Sequence, residues 1–369
     1  MYISKVDVYK LSIPMEPFKI ATGVMDYAQN IFIRIHTDGG LYGVGECSAF
    51  PMIVGETQNT GFEVAKDFAK IWQGEDPQEI DERIGELNAY IARNSTIKSA
   101  FDMALYDLNA KIKKQPLYAF LGGEPRVVTT DITLGIDTPE KMGEKAKTLV
   151  KEGATILKVK LGEEVKEDVQ RIAKIREAIG NDIRIRIDAN QGWTFTEAKE
   201  ALQHLEVYNI EFCEQPMRTY NDSRLPALRS LTSIPIMADE SVYDHHDALR
   251  LCENNACDYI NIKLSKSGGI HEALKIHKVA QDFDIPCMIG GMLESRLGLA
   301  AKLHMAYALP GIQFFDLDTC MVGHLENPVI GGIRYEGFSV HASEGYGIGA
   351  DIEEDYLKKC ERWSLGEKP

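Results

Sequence analysis

Three carboxylates close successive apolar runs in this chain. IRIRID ends in Asp188, IEFCE in Glu214 and IPIMAD in Asp239. Lysines bracket them: ILKVK ends in Lys160 with Lys158 two residues earlier, and YINIK ends in Lys263. Three converging acids repel one another and raise their own pKa values unless a cation lies between them. An all-oxygen set of this kind suits Mg²⁺, one ion per chain, with Mn²⁺ as a substitute. Such an ion binds a substrate carboxylate and stabilises the charge that builds when the adjacent carbon loses its proton. That step needs a base. A lysine is ordinarily protonated at neutral pH. Lys158, on the same strand face, and a nearby divalent ion both disfavour an ammonium at Lys160. Lys263, from the other side, serves the opposite face of the carbon, so that one lysine removes a proton and the other returns one with inversion. A lone acid at a strand end is commonly a helix cap, and Asp239-Glu240-Ser241 has that form. Three at matching ends with flanking lysines is a different pattern.

The elements that must position these residues are short apolar strands alternating with amphipathic helices. Candidate strands are 129–136, 156–160, 183–188, 210–214, 234–239, 259–263, 285–290 and 312–318, starting about every 25–27 residues. This spacing predicts an α/β fold, a (β/α)7β TIM-like barrel, whose active site lies at the C-terminal ends of the strands. A doubly wound sheet is the alternative, but no GxGxxG follows a strand, and GYGIGA at 345–350 reads as turns. Residues 1–125 read as an α+β capping unit. It has a strand over Tyr2–Ile13, a hairpin around Asp38-Gly39-Gly40, and helices over 61–72, 77–92 and SAFDMALYDLNAKIKKQ. Residues 126–320 form the barrel, and 321–369 return to the cap.

Among 369 residues, 44% are hydrophobic and 26% charged, as in an ordinary globular enzyme. The net charge of −15 argues against nucleic acid and anionic membranes as partners. No apolar run reaches spanning length, and MYISKVDVYKLSIP lacks the features of a signal peptide. Seven cysteines without a CxxC pair read as reduced thiols of a cytoplasmic protein, and CENNAC has the wrong spacing for zinc. Nine histidines show no metal spacing, and His245-His246 reads as a solvated helix start.

LKVKLG, RIDANQGW, EFCEQP, MADES and NIKLSKSGGI, preceded by DMALYDLNAKIKKQPLYAFLGG, resemble the enolase superfamily in its muconate-lactonizing subgroup, along the whole chain. The resemblance implies a cap built from both termini and Mg²⁺ held by Asp188, Glu214 and Asp239. It implies acid/base roles for Lys160 and Lys263, with Lys158 as a secondary cation. Asn190 would orient the metal site from behind.

Asp316 and Asp318 in FFDLDTC share a strand face and could bind a substrate ammonium. Their bland role is to balance the lysines. Dipeptide epimerases of the family carry a DxD here that holds the dipeptide ammonium. The chain is therefore most like a dipeptide epimerase. Such an enzyme inverts the α-carbon of the C-terminal residue by two-base 1,1-proton transfer through a metal-stabilised enediolate. The alternatives are an o-succinylbenzoate synthase or N-acylamino-acid racemase of the same subgroup, and a non-catalytic metal-binding barrel. The loops 17–27 and 49–57 are expected to close over the mouth. Alanyl-glutamate epimerases of the family carry arginine where Gly23 falls. Its absence, with Ile20, Met25 and Ile53 nearby, points to an uncharged or hydrophobic second residue rather than Ala-Glu, with Lys19 as a partial substitute for the missing charge. Thr133 and Met292 are further substrate-contact candidates. By analogy with the subgroup the chain is expected to form a homo-oligomer.

Overall fold

The computed structural model describes residues 1–366. The alternating N-terminal stretch forms two long antiparallel strands, Ile3–Ile20 and Gly23–Thr37, and a third, Tyr42–Ser48, pairs with the second. The hairpin runs further than the sequence pattern suggests. Phe18 pairs with Met25, Lys19 with Val24 and Ile20 with Gly23, so residues 17–27 are mostly a hairpin tip rather than a free loop. The register slips between Pro14 and Phe18, where Pro14 and Pro17 lack the N–H a regular ladder needs. Helices Gln58–Trp72, Ile80–Tyr90 and Ser95–Ile112 complete this unit. Strand Tyr42–Ser48 lies directly on helix Ser95–Ile112. A Cβ at Gly43 or Gly45 would come within 2.0 Å of the Ala104 or Ala100 carbonyl oxygen, so only glycine permits that approach.

Eight parallel strands then follow in strict sequence order: Ile132–Leu134, Ile156–Lys160, Arg184–Asp188, Ile210–Glu214, Ile236–Ala238, Tyr259–Ile262, Cys287–Gly290 and Ile312–Asp316. Helices fill each of the seven connections, which makes this the (β/α)7β barrel expected. The first and last strands meet through few bonds. Asp131 N–H donates to the Phe315 carbonyl at 3.2 Å and Leu317 N–H to Thr130 Oγ1 at 2.8 Å. The first candidate strand is split. Val128–Thr129 pairs with Ser339–Ala342 in another sheet, and only Ile132–Leu134 joins the barrel.

The tail divides its contacts. Part of it lies against helix Arg296–Ala308, and Arg362–Leu365 pairs with Val6–Tyr9 on the first sheet. The GYGIGA turns wrap the cap helix, where Ile348 N–H donates to buried Asp107. None of the seven cysteines is in a disulfide, and five of them are buried. Among the described residues no helix is long and apolar enough to cross a membrane.

Candidate active site

Period-two alternation arranges the barrel interior in rows. The lower row includes Lys158, Arg186, Phe212, Met237, Asn261, Met288 and Phe314. Two residues further along the same strands come Lys160, Asp188, Glu214, Asp239, Lys263, Gly290 and Asp316. Strand register places Lys160 beside Asp188, and Asp188 beside Glu214. Asp239 and Lys263 fall one residue past their strands, Ile236–Ala238 and Tyr259–Ile262, and still reach the same mouth. The lower row is apolar where Phe212, Met237, Met288 and Phe314 pack together. Arg186 stacks on the Phe212 and Phe314 rings and donates to Asp131 Oδ2 at 2.8 Å and Glu211 Oε2 at 2.6 Å.

Each of the three central acids has an ammonium close by. Lys160 Nζ lies 2.6 Å from Asp188, Lys158 Nζ 2.7 Å from Glu214, and Lys263 Nζ 2.8 Å from Asp239. Lys266 Nζ donates to the other Asp239 oxygen at 2.7 Å and to its main-chain oxygen. Asn261 donates to Glu214 at 2.7 Å, and the Asn190 main-chain N–H donates to Asp188 at 2.8 Å. The Asn190 side chain reaches Glu240 at 3.5 Å. Lys266, Asn261 and the Arg186–Asp131 pair were not picked out as site residues from the sequence. For two of them the signal was available: Asn261 precedes Lys263, and Arg186 precedes Asp188, by the two-residue step that keeps a side chain on one face.

Lys158 is not the bare like charge expected beside Lys160. Its nitrogen also lies 2.8 Å from Asp316 and 3.5 Å from Asp188. Burial works against its ammonium, but Asp316, Glu214 and Asp188 outweigh burial and hold its pKa well above the ordinary value. Burial likewise opposes the Lys263 ammonium, and Asp239 and Glu214 raise its pKa. Burial would raise Asp188, yet Lys160 and Lys158 bring it below the usual range. Glu214 goes the other way. Burial and then the Asp188 charge push it up to about 8, against the lowering pull of Lys158.

Asp316 and Asp318 do share the mouth, though not by strand alternation. Strand eight ends at Asp316, and Asp318 lies in the turn that starts helix Thr319–Val322. Asp318 Oδ2 accepts the Thr133 N–H at 2.6 Å. Burial, Asp316 and Asp131 raise the Asp318 pKa well above the carboxylate range. Asp131, Asp316 and Asp318 bring carboxylate oxygens within 4.8 Å of one another. The trio expected to hold the metal is a different one: Asp188, Glu214 and Asp239 each have a lysine ammonium against them.

Lys160 and Lys263 line one cavity of about 40 Å³, together with Thr133, Asn190, Met292, Asp316 and Asp318. Strands two and six of an eight-stranded barrel stand on opposite sides, so the two amines enter it from opposing directions. The roof is apolar: Met15 just before the hairpin tip, Phe18 and Ile20 within it, and Phe50 and Ile53 from the 49–57 segment. Leu293 and Val322 complete the apolar walls. Two expected substrate residues are not brought there. Lys19 is half-exposed and turns outward, 2.7 Å from Glu163. Gly23 lies against Met52 instead, where a Cβ would come within 2.1 Å of the Met52 sulfur. Met25 is half-buried, but it packs into the core and is not part of the lining. A larger cavity of about 960 Å³, lined by His245, His246 and Glu272 among others, shares Ile53 with the first but holds neither Lys160 nor Lys263. His245 is 2.5 Å from Glu272 there.

Residues 3–122 match the mandelate racemase / muconate lactonizing enzyme N-terminal domain, and residues 141–356 match the enolase C-terminal domain-like family. The chain belongs to the enolase superfamily. It is 44% identical over 365 residues to a D-Ala-D/L-Ala epimerase of Cytophaga hutchinsonii, covering 98% of this chain and 99% of that one. It is 41% identical over 338 residues to a hydrophobic dipeptide epimerase of Enterococcus faecalis, covering 91% and 95%. A crystal structure of a dipeptide epimerase from Cytophaga hutchinsonii complexed with Mg and D-Ala-L-Val superimposes with a TM-score of 0.97, at 44% identity, over 99% of this chain and 100% of that one. With relatives named as epimerases and racemases, this superfamily member is an isomerase.

Proposed function

We propose that the protein is a Mg²⁺-dependent dipeptide epimerase that inverts the α-carbon of the C-terminal residue. One observation carries the reading: two lysines from opposite sides of the barrel line the same cavity as a pair of buried aspartates. Asp188, Glu214 and Asp239 would hold the metal. Glu214 Oε2 and Asp239 Oδ2 are buried and accept no well-aligned hydrogen bond, although lysine nitrogens stand 2.7 and 2.8 Å away. Buried, imperfectly satisfied carboxylates are what a hard cation suits. Bound there, the ion would polarise a substrate carboxylate and ease loss of the neighbouring proton.

The chain's own groups do the rest. Lys160 and Lys263 face opposite sides of the α-carbon, one removing its proton and the other returning one, which inverts the centre. Asp316 and Asp318 hold the substrate's free ammonium, which an N-acylated amino acid does not have. Lys158 anchors Asp316 and Glu214 from below. The cavity is smaller than the roughly 300 Å³ typical of a ligand site. A dipeptide therefore needs more room than the closed cavity offers.

The second residue of that dipeptide is uncharged or hydrophobic rather than glutamate. Met15, Phe18, Ile20, Phe50 and Ile53 form the roof, and Lys19 is engaged by Glu163 outside the cavity, so no cation remains in the roof for a side-chain carboxylate. The test is exchange in D₂O with Mg²⁺ and a dipeptide panel, read by mass. Label confined to the second residue of free-amine dipeptides supports the proposal. Label only in N-acylated amino acids would favour the racemase alternative and sink it.

A further inference from the structure

One wall of the cavity is held by the cap. Met292 and Leu293 follow strand Cys287–Gly290 and line the cavity. Asn30, from the second cap strand, donates to the Leu293 carbonyl at 3.0 Å, and Ser48 Oγ accepts the Leu293 N–H at 3.2 Å. The first of these bonds is tied to Glu46, which is fully buried. Its Oε1 accepts from Asn30 at 2.6 Å and from Ser295 N–H at 2.9 Å. Its Oε2 accepts from Ser295 Oγ at 2.6 Å and Gly298 N–H at 2.9 Å. Ser295 and Gly298 begin helix Arg296–Ala308, whose N-terminal dipole favours the negative charge. Three hydrogen bonds from neutral donors, at Ser295 and Gly298, therefore tie a cap carboxylate to the turn just after the wall, and the fourth holds Asn30 beside it.

We propose that Glu46 is a positioning residue for the substrate cavity. Through Asn30 and the Ser295 turn it sets where Leu293 stands, and so which dipeptide side chains fit. It never touches substrate. The inference rests on the dipeptide reading of the same site. Glutamine at this position keeps the shape but has one accepting oxygen. Its amide N–H groups would face the donors at Ser295 and Gly298, so at least one tie to the turn breaks.

The experiment compares wild type with Glu46→Gln and Ser48→Ala on dipeptides that vary one side chain at a time, from alanine to tyrosine. In Glu46→Gln the ratio of kcat/KM for bulky over small side chains should shift by about fivefold or more, since pocket fit discriminates on that scale. Ser48→Ala, which removes only the Leu293 N–H acceptor, should shift it less and in the same direction. Amide hydrogen exchange is followed alongside, with or without activity. Exchange at Leu293 should quicken by about tenfold in Glu46→Gln, while strand Ile156–Lys160 is unchanged. An equal fall in kcat/KM for every dipeptide, or unaltered exchange at Leu293, overturns the proposal. If Glu46→Gln does not fold, Glu46→Asp, one methylene shorter, is carried through the same panel and the same exchange measurement and judged by the same outcomes. A wild type that epimerises no dipeptide would condemn the parent reading, and the exchange result would still judge Glu46.

Discussion

Asp188, Glu214 and Asp239 stand on neighbouring strands, and each has a lysine nitrogen within 2.8 Å. Asp131, Asp316 and Asp318 straddle the seam where the last strand meets the first, and they are compensated unevenly. Asp316 has Lys158, Asp131 has Arg186, and Asp318 accepts from Thr133 with no cation against it among the described residues. Both trios are buried, and of the six acids Asp316 and Asp318 line the cavity, so the difference is in what each trio lacks. The central trio is matched by ammoniums, and on the proposed reading those of Lys160 and Lys263 would turn toward the substrate carbon when a metal binds the acids. The seam trio lacks a positive charge at Asp318, whose carboxyl is pushed far above its ordinary pKa. Such a site gains most from a cation that arrives with the substrate.

Removing the moving ammoniums should break the contrast most severely. Lys160→Ala and Lys263→Ala should each lower epimerisation by about a thousandfold or more, the scale of a lost general acid or base. Each variant should retain α-hydrogen exchange through one face only, as NMR in D₂O would reveal. Full turnover in either would remove the two-base scheme.

Next comes the metal. Chelation should abolish turnover, and the dependence on pH has a definite sign. Glu214, held up to about 8 in the metal-free protein, keeps its proton below that pH and must lose it to bind an ion. A raised carboxyl pKa means the folded metal-free state binds more protons than the unfolded chain. Its contribution to stability therefore declines as pH rises from the ordinary carboxylate range toward 8. The Mg²⁺-induced rise in Tm should accordingly be larger at pH 8 than at pH 6. A shift independent of pH would place the metal elsewhere.

The seam trio is probed by Asp318→Asn. KM for free-amine dipeptides should rise by about tenfold or more, the worth of a charge-assisted hydrogen bond. Asp316→Asn should have a similar effect on KM but also a lower Tm, since Lys158 loses a buried partner. Equal Tm values for the two would contradict the pairing described. Lys19→Ala should have the smallest effect, within about twofold on every dipeptide, because a half-exposed ion pair outside the cavity contributes little. A selective loss on acidic dipeptides would restore Lys19 to substrate recognition.

The barrel and its row of acids and lysines were legible because both rest on local periodicity. A residue's face along a strand follows from its parity, and strand ends in a βα repeat converge on one mouth, so Lys160, Asp188 and Glu214 could be aligned by counting. Asp239 and Lys263, just beyond their strands, were still within reach of that count. The roof was less legible. Lys19 and Gly23 sit near the right place in sequence, yet the hairpin continues to Ile20 and turns Lys19 toward Glu163.

From the order of residues alone came the repeat, the inward-facing acids and lysines, and the Asp316–Asp318 pair, since each depends on neighbours a few positions apart. Only the folded chain decided which ammonium lies on which carboxylate, that Lys158 serves Glu214 and Asp316, and that Glu46 reaches the turn after Leu293. Those contacts join residues far apart in the chain. They are selected by the need to neutralise and hydrogen-bond every buried charge once the strands are in place.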